Sequence, residues 1–259
     1  EQVQEMRGLA ARELLQGRRL PLSKIMEHAP AATQSSFETN VVNGDCLLAC
    51  FVVMLECLSC GHVPSQEYEA PAKAMRSVLV DYIRAKWQDY PIFNPCMKVH
   101  ELISMTHDVA GERAQGDVEW GDTPESQLEA YDGTWRNIYF SDMEMLMFSC
   151  MMFEQHRVPI VFRTWRFRQD RGRNEFISLT PEPDFLRVNG VERAFVVDLE
   201  HSGALDGRTA HYRMLQGGSL MHILKKEKRA LVDTLSPRAK MAPRKRPRLI
   251  KTSQLINMR

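Results

Sequence analysis

Cys46 stands where a thiol can act as a nucleophile. It follows Asn43, Gly44 and Asp45, which are typical of a turn and a helix N-cap, and it precedes an apolar run that meets Gly61. Unpaired N–H groups in the first turn of a helix stabilise a thiolate and can also hold the oxyanion of an acyl-transfer intermediate. The pattern therefore indicates a candidate nucleophile; the competing interpretation is a buried structural cysteine.

A cysteine nucleophile needs a base that takes the thiol proton and later protonates the leaving amine, and histidine is the usual choice. The sequence offers eight histidines. His211 precedes Tyr212 at the start of a predicted strand, and His201 lies ten residues earlier. His156 lies at the end of a predicted helix. The remaining five have no neighbouring signal and are interpreted as surface or core residues: His28, His62, His100, His107 and His222.

A second cysteine pattern offers a metal interpretation. Cys57 and Cys60 form C-x-x-C, and His62 follows, which resembles half of a zinc site. No second C-x-x-C occurs downstream, and a C-x-x-C at a helix C-terminus lacks the dipole that redox dithiols exploit. The sequence therefore predicts neither a metal nor another cofactor.

Hydrophobic patterning predicts the elements that would position these side chains. Helices are expected from Cys46 to about Gly61, over residues 72–88 and over residues 141–156, and strands over residues 158–167, 193–199 and 211–215. Five methionines between 143 and 152 are interpreted as core filler. The order, mostly helices first and strands later, predicts an α+β domain with helices packed around a small mixed β-sheet.

Two end segments differ from this body. Residues 1–35 are predicted to be a helical appendage, broken near Gly17 and Pro21. Residues 225–259 hold twelve Lys or Arg against two acids, a net charge of +10, so with +1 in total the rest of the chain carries −9. Residues 223–259 are therefore interpreted as a basic, flexible tail. Its cluster of Arg244, Lys245, Arg246 and Arg248 suits nuclear import or nucleic-acid contact, the alternative being a solvated linker.

The sequence argues against membrane insertion and export. The longest apolar run, residues 46–55, has ten residues, about half of what a bilayer-spanning helix needs. The first twenty residues mix charged and polar side chains without an apolar segment, so no secretory signal is expected. The six cysteines are accordingly interpreted as reduced thiols in the cytoplasm or nucleus.

Four segments, in order, resemble the ovarian-tumour (OTU) family of deubiquitinating cysteine proteases. VNGDCLLACFVVML resembles the family's cysteine box, and MRSVLVDYIRAKWQDYPIF is similar to its next helix. YFSDMEMLMFSCMMFEQHRVPIVF resembles a helix–strand unit with Glu144 at an acidic position, and AFVVDLEHSGALDGRTAHYRML is similar to the final strands and their His-Tyr pair.

The resemblance implies an OTU-like cysteine protease fold over residues 36–222. It implies Cys46 as nucleophile and His211 as base, with His201 as runner-up, and backbone N–H groups near Asp45 and Cys46 for the oxyanion. The implied partner is ubiquitin or a ubiquitin-like protein, whose arginine-containing C-terminal tail would suit the negative body.

Two departures from the family pattern leave the third catalytic residue open. Asn43 stands where the family usually has an acid, and Arg213 stands where an Asn or Asp often orients the histidine. Four residues could substitute: Asn43, Asp45, Asp198 and Asp206. The alternative is an inactive OTU-fold scaffold that docks through the N-terminal helix and basic tail on a nucleoprotein or capsid-like assembly. Such divergence, with Glu1 as first residue, would suit a viral or mobile-element protein and association with the virion.

Overall fold

The computed structural model describes residues 19–26, 36–37, 41, 44–60, 67–111, 120–135, 139–168, 171–202 and 211–215. Within these residues the helices are α1 (Cys46–Cys60), α2 (Glu69–Ala85), α3 (Val99–Gly111), α4 (Pro124–Thr134), α5 (Asp142–His156) and α6 (Pro183–Val188). The strands are β1 (Leu20–Pro21), β2 (Ser36–Phe37), β3 (Ile160–Arg168), β4 (Arg173–Thr180), β5 (Arg193–Ser202) and β6 (His211–Leu215).

One mixed sheet carries the fold. Its strand order is β2-β6-β5-β3-β4, and β1 adds to β5 beside this path. β3 and β5 run parallel, with Ile160 opposite Phe195, whereas the other pairs are antiparallel. The α+β class with a mixed sheet, predicted from the order of helices and strands, is confirmed.

The main core lies between α1, α5 and one face of the sheet. The rings of Phe51 on α1 and Phe148 on α5 stack with centroids 4.1 Å apart, and Phe51 also lies 5.2 Å from Phe162 on β3. The methionines of α5 fill the space around these rings, as predicted; Met145 and Met147 are fully buried. This packing fixes α1 relative to the sheet.

α1 is apolar on every side, which is the pattern of a helix surrounded by protein. Leu47, Leu48, Phe51 and Val53 are each 0% exposed. The helix begins at Cys46, as the turn residues before it predict. No helix within the described ranges is long and apolar enough to cross a bilayer.

The opposite face of the sheet is covered in part by residues 19–26, which belong to the predicted N-terminal appendage. Leu20 pairs with Ala194 of β5, and Ile25 is 0% exposed. Arg163 of β3 donates a hydrogen bond to the carbonyl oxygen of Ile25 at 2.6 Å. Where the helical appendage is expected to continue, the chain forms β1 and one 3-10 turn, Leu22–Lys24, since Pro21 and the pairing with β5 favour extended backbone. Residues 1–18 and the basic tail, with Arg244, Lys245, Arg246 and Arg248, lie outside the described residues.

Candidate active site

Two thiols of α1 contact the main chain of a single residue on β6. The N–H of Tyr212 donates to the sulfur of Cys46 at 3.4 Å. The sulfur of Cys50, one helical turn further on, donates to the carbonyl oxygen of Tyr212 at 3.7 Å. The start of α1 is thereby tied to β6 on both sides of one residue.

This contact is made beyond the two positions at which the described residues of β2 pair with β6. Within the described residues β2 pairs with β6 at two positions, Ser36 with Leu215 and Phe37 with Met214. In an antiparallel sheet the N–H and C=O of one residue point to the same side, and both groups of Tyr212 face α1. The thiols of α1 therefore satisfy the backbone groups of Tyr212 that point away from β5.

The structure places the main chain of His211 close to Cys46. The N atom of Tyr212 lies about 2.4 Å from the Cα atom of His211 by standard backbone dimensions. The hydrogen bond from that N atom therefore places the Cys46 sulfur within about 6 Å of the His211 Cα atom. The His211 side chain is partly exposed, and its carbonyl oxygen accepts from the Ser202 hydroxyl at 3.4 Å.

His201, the runner-up base, lies on the same face of the sheet as Tyr212, which is the face that α1 and α5 cover. It is the cross-strand neighbour of Tyr212, and the two ring centroids are 5.0 Å apart. Because successive side chains of a strand alternate, His211 and Tyr212 project to opposite faces. Burial, and then the charge of Arg166, whose Nη2 lies 3.5 Å from the His201 Nδ1, lower the pKa of His201.

The turn before α1 supplies the backbone donors expected for an oxyanion. Gly44 has φ +79°, a left-handed conformation that glycine adopts without strain. The carbonyl oxygen of Asp45 accepts the N–H of Ala49 at 2.9 Å, so Asp45 is the N-cap and Cys46 the first helical residue. The first N–H groups of a helix have no acceptor within the helix and point out of its end, beside the Cys46 side chain.

Asp45 makes a buried ion pair that the sequence did not predict. Its Oδ1 atom accepts from the Nε of Arg76 on α2 at 2.7 Å, and both side chains are about 5% exposed or less. The carboxylate of Asp45 is thus engaged on the side of α2. In the sequence, Arg76 lies on a predicted helix face together with Met75, Leu79 and Ile83, which the structure buries. This position was the sign that Arg76 could be buried.

The other candidates for a third catalytic residue lie in different parts of the molecule or outside the described residues. Asp198 accepts from Arg163 at 2.5 and 2.7 Å and from the Trp165 indole at 2.9 Å, so it belongs to a buried network in the sheet. Asn43 and Asp206 lie outside the described residues. Glu200, which the sequence did not single out, is opposite Arg213 on the strand next to β6. By strand alternation Glu200 lies on the same face as His211.

Glu144, at the position where the resemblance has an acid, caps α5. Its Oε2 atom accepts from the N–H of Ser141 at 2.7 Å and from the Ser141 hydroxyl at 3.1 Å. The residue is 1% exposed.

Burial, followed by the nearby Asp142 carboxylate, raises the pKa of Tyr212, so the phenol stays neutral beside the start of α5.

The metal interpretation gains no support from the described part of the chain. No group of three or more His, Cys, Asp or Glu there is arranged to hold a metal ion. The side chains of Cys57 and Cys60, and all of His62, lie outside the described residues, as do His28, His222 and the side chain of His107. His100 is buried with its Nδ1 3.0 Å from the Gln127 Oε1, and His156 is exposed at the end of α5.

No family model, curated protein or solved structure matches this chain. The chemistry of the site must therefore be inferred from the arrangement of its own side chains and backbone groups. That arrangement consists of a thiol at a helix start, a histidine on the adjoining strand and a glycine turn held by a buried arginine.

Proposed function

We propose that this chain is an OTU-like cysteine protease that hydrolyses ubiquitin or ubiquitin-like conjugates, with Cys46 as nucleophile and His211 as base. The observation that carries the proposal is the 3.4 Å hydrogen bond from the Tyr212 N–H to the Cys46 sulfur. It joins the helix start to the residue that follows His211.

In the proposed reaction His211 takes the proton of the Cys46 thiol, and the thiolate attacks the carbonyl carbon of the scissile amide. The oxyanion forms beside the N–H groups of Asp45 and Cys46. Protonated His211 then gives its proton to the leaving amine, which departs and leaves a thioester on Cys46. Water, deprotonated by His211, hydrolyses the thioester and restores the thiol.

The alternative candidate is an inactive OTU-like scaffold protein that docks on a nucleoprotein assembly through its N-terminal helix and basic tail. One observation favours it: Cys46 is only 4% exposed, whereas a nucleophile has to meet a substrate carbonyl. The two candidates make opposite predictions for the reactivity of Cys46 toward an acyl-like electrophile.

A ubiquitin probe with an electrophilic C-terminus tests the proposal. We expect one covalent adduct, located at Cys46 by peptide mapping and lost in Cys46→Ala. Cys96→Ala is the matched control, because Cys96 is a free and exposed thiol; that variant should label like the wild type. Labelling at Cys96 would contradict the assignment, and a folded protein that takes no label would support the scaffold.

A further inference from the structure

Arg76 uses its whole guanidinium group to hold the segment that precedes Cys46. Its Nε donates to Asp45 Oδ1 at 2.7 Å and its Nη2 donates to the carbonyl oxygen of Gly44 at 3.0 Å. Its Nη1 donates to the carbonyl oxygen of Trp135 at 2.6 Å. The Phe140 ring covers one face, with 4.2 Å between the Arg76 Cζ and the ring centroid. Such a planar fork holds its acceptors in fixed directions.

The contact with Gly44 fixes the direction of the next N–H group. In a planar trans peptide the carbonyl oxygen and the N–H point in opposite directions. Because the Gly44 carbonyl points at Arg76, the N–H of Asp45 points away from α2. The ion pair with the Asp45 side chain holds the same peptide from its other end.

We infer that Arg76 is a positioning residue, which orients the Gly44–Asp45 peptide so that the Asp45 N–H faces an oxyanion formed at Cys46. The inference rests on the proposed hydrolase function and adds to it a residue that never touches the substrate. Without the guanidinium the left-handed Gly44 is free to rotate its peptide, because glycine has no side chain to oppose the change. The carbonyl could then turn toward the site, where it would repel an oxyanion.

Arg163 provides a matched control. It is 4% exposed against 3% for Arg76, and it also forms a buried ion pair, with Asp198, plus a hydrogen bond to a backbone carbonyl, that of Ile25. Its contacts hold the sheet and residues 19–26 rather than the turn before α1. Loss of either arginine leaves a buried carboxylate without its partner, so the two substitutions should destabilise the fold to a similar extent.

The test compares Arg76→Gln, Arg76→Lys and Arg163→Gln at a temperature where circular dichroism shows each to be folded. Hydrolysis of a fluorogenic ubiquitin C-terminal amide reports on the oxyanion, and alkylation of Cys46 by iodoacetamide reports on the thiolate alone, since that displacement forms no oxyanion. We expect Arg76→Gln to lower kcat about 10²–10³-fold, the effect of losing an oxyanion donor, with KM and alkylation changed less than about threefold. Arg163→Gln should keep the wild-type kcat.

Arg76→Lys separates charge from geometry. Lysine can pair with Asp45 but has no second edge with which to hold the Gly44 carbonyl, so its kcat should lie between those of wild type and Arg76→Gln. This variant decides the question if Arg76→Gln does not fold. A kcat that stays at the wild-type level in Arg76→Lys and Arg76→Gln would overturn the inference and leave the proposed function standing. A fall in the rate of Cys46 alkylation that parallels the fall in kcat would also overturn the inference and leave the proposed function standing. A folded wild type without turnover would overturn both.

Discussion

The ring of His201 lies against the ring of Tyr212, with their centroids 5.0 Å apart. Tyr212 directs its ring to the helix-covered face of the sheet, whereas the preceding residue, His211, projects to the opposite face. The two histidines therefore occupy different environments although they lie on adjoining strands. Of the two histidines, His211 is the one bonded directly to Tyr212, whose N–H reaches the Cys46 sulfur.

We predict that His211→Ala lowers the kcat of fluorogenic ubiquitin hydrolysis by about 10²–10⁴-fold, the usual contribution of a positioned base. His201→Ala should lower it far less, since that ring packs on Tyr212 and faces Arg166. Both variants should retain the wild-type circular dichroism spectrum. If the two effects came in the reverse order, the base would be His201.

The His201 ring should titrate below its ordinary value of 6.5, because burial and Arg166 both disfavour its charged form. Nuclear magnetic resonance of the ring C–H groups measures this pKa directly. Arg166→Gln should raise it only in part, since burial is the larger cause. As the pH falls through 6.5, the unfolded chain takes up a proton that folded His201 does not, so stability should decline there. A pKa above 6.5 would contradict the described environment.

Cys150 and Cys96 should differ sharply in reactivity. Burial raises the pKa of Cys150 to about 12, whereas Cys96 is exposed. At pH 8 only about one Cys150 thiol in ten thousand is then ionised, and thiolate is the form that iodoacetamide attacks. Mass spectrometry after brief alkylation should find Cys96 modified and Cys150 intact, and both modified in denaturant. Equal rates in the native protein would mean that α5 opens readily.

The basic tail should bind nucleic acid through charge alone. Seven Lys or Arg lie within residues 236–251, and if all seven contact duplex phosphates, log K should fall with log salt at a slope of about −6. Fluorescence anisotropy on an unrelated duplex measures this slope. Deleting residues 236–259 should abolish the binding and spare hydrolysis of the fluorogenic substrate. A truncated protein that loses hydrolysis would show that the tail packs on the body.

Local sequence patterns were sufficient to locate a helix or strand where turn residues or an apolar segment mark it. The Asn43-Gly44-Asp45 turn located the start of α1. The apolar pattern of residues 141–156 located α5, which begins at Asp142 with a capping box formed by Ser141 and Glu144. The bounds of β6, His211–Leu215, match the prediction because the strand is short and lies at the end of the apolar pattern. These elements also contain the proposed nucleophile and base.

α3, α4 and β4 were not predicted, and for α4 and β4 the reason is the lack of a continuous apolar face. α4 buries only Ala130, Tyr131 and Thr134, so its Thr123 cap was not recognised as the start of a helix. β4 is the edge strand of the sheet, with Phe176 and Ile177 about 40% exposed, and it lacks alternation. The Arg76–Asp45 pair could not be predicted, since an ion pair between residues 31 positions apart leaves no mark on local composition.

The hydrogen bond between Tyr212 and Cys46 joins residues 166 positions apart in the chain. During synthesis the helix that carries the thiol is therefore complete long before the strand that carries the histidine exists. Contacts of such large separation form late in folding, because the entropy of closing the loop has to be overcome first. A nascent chain that has not reached β6 holds a thiol without a base. Under the proposed mechanism, a growing or prematurely terminated polypeptide would be unable to cleave anything, and hydrolytic competence would coincide with closure of the sheet.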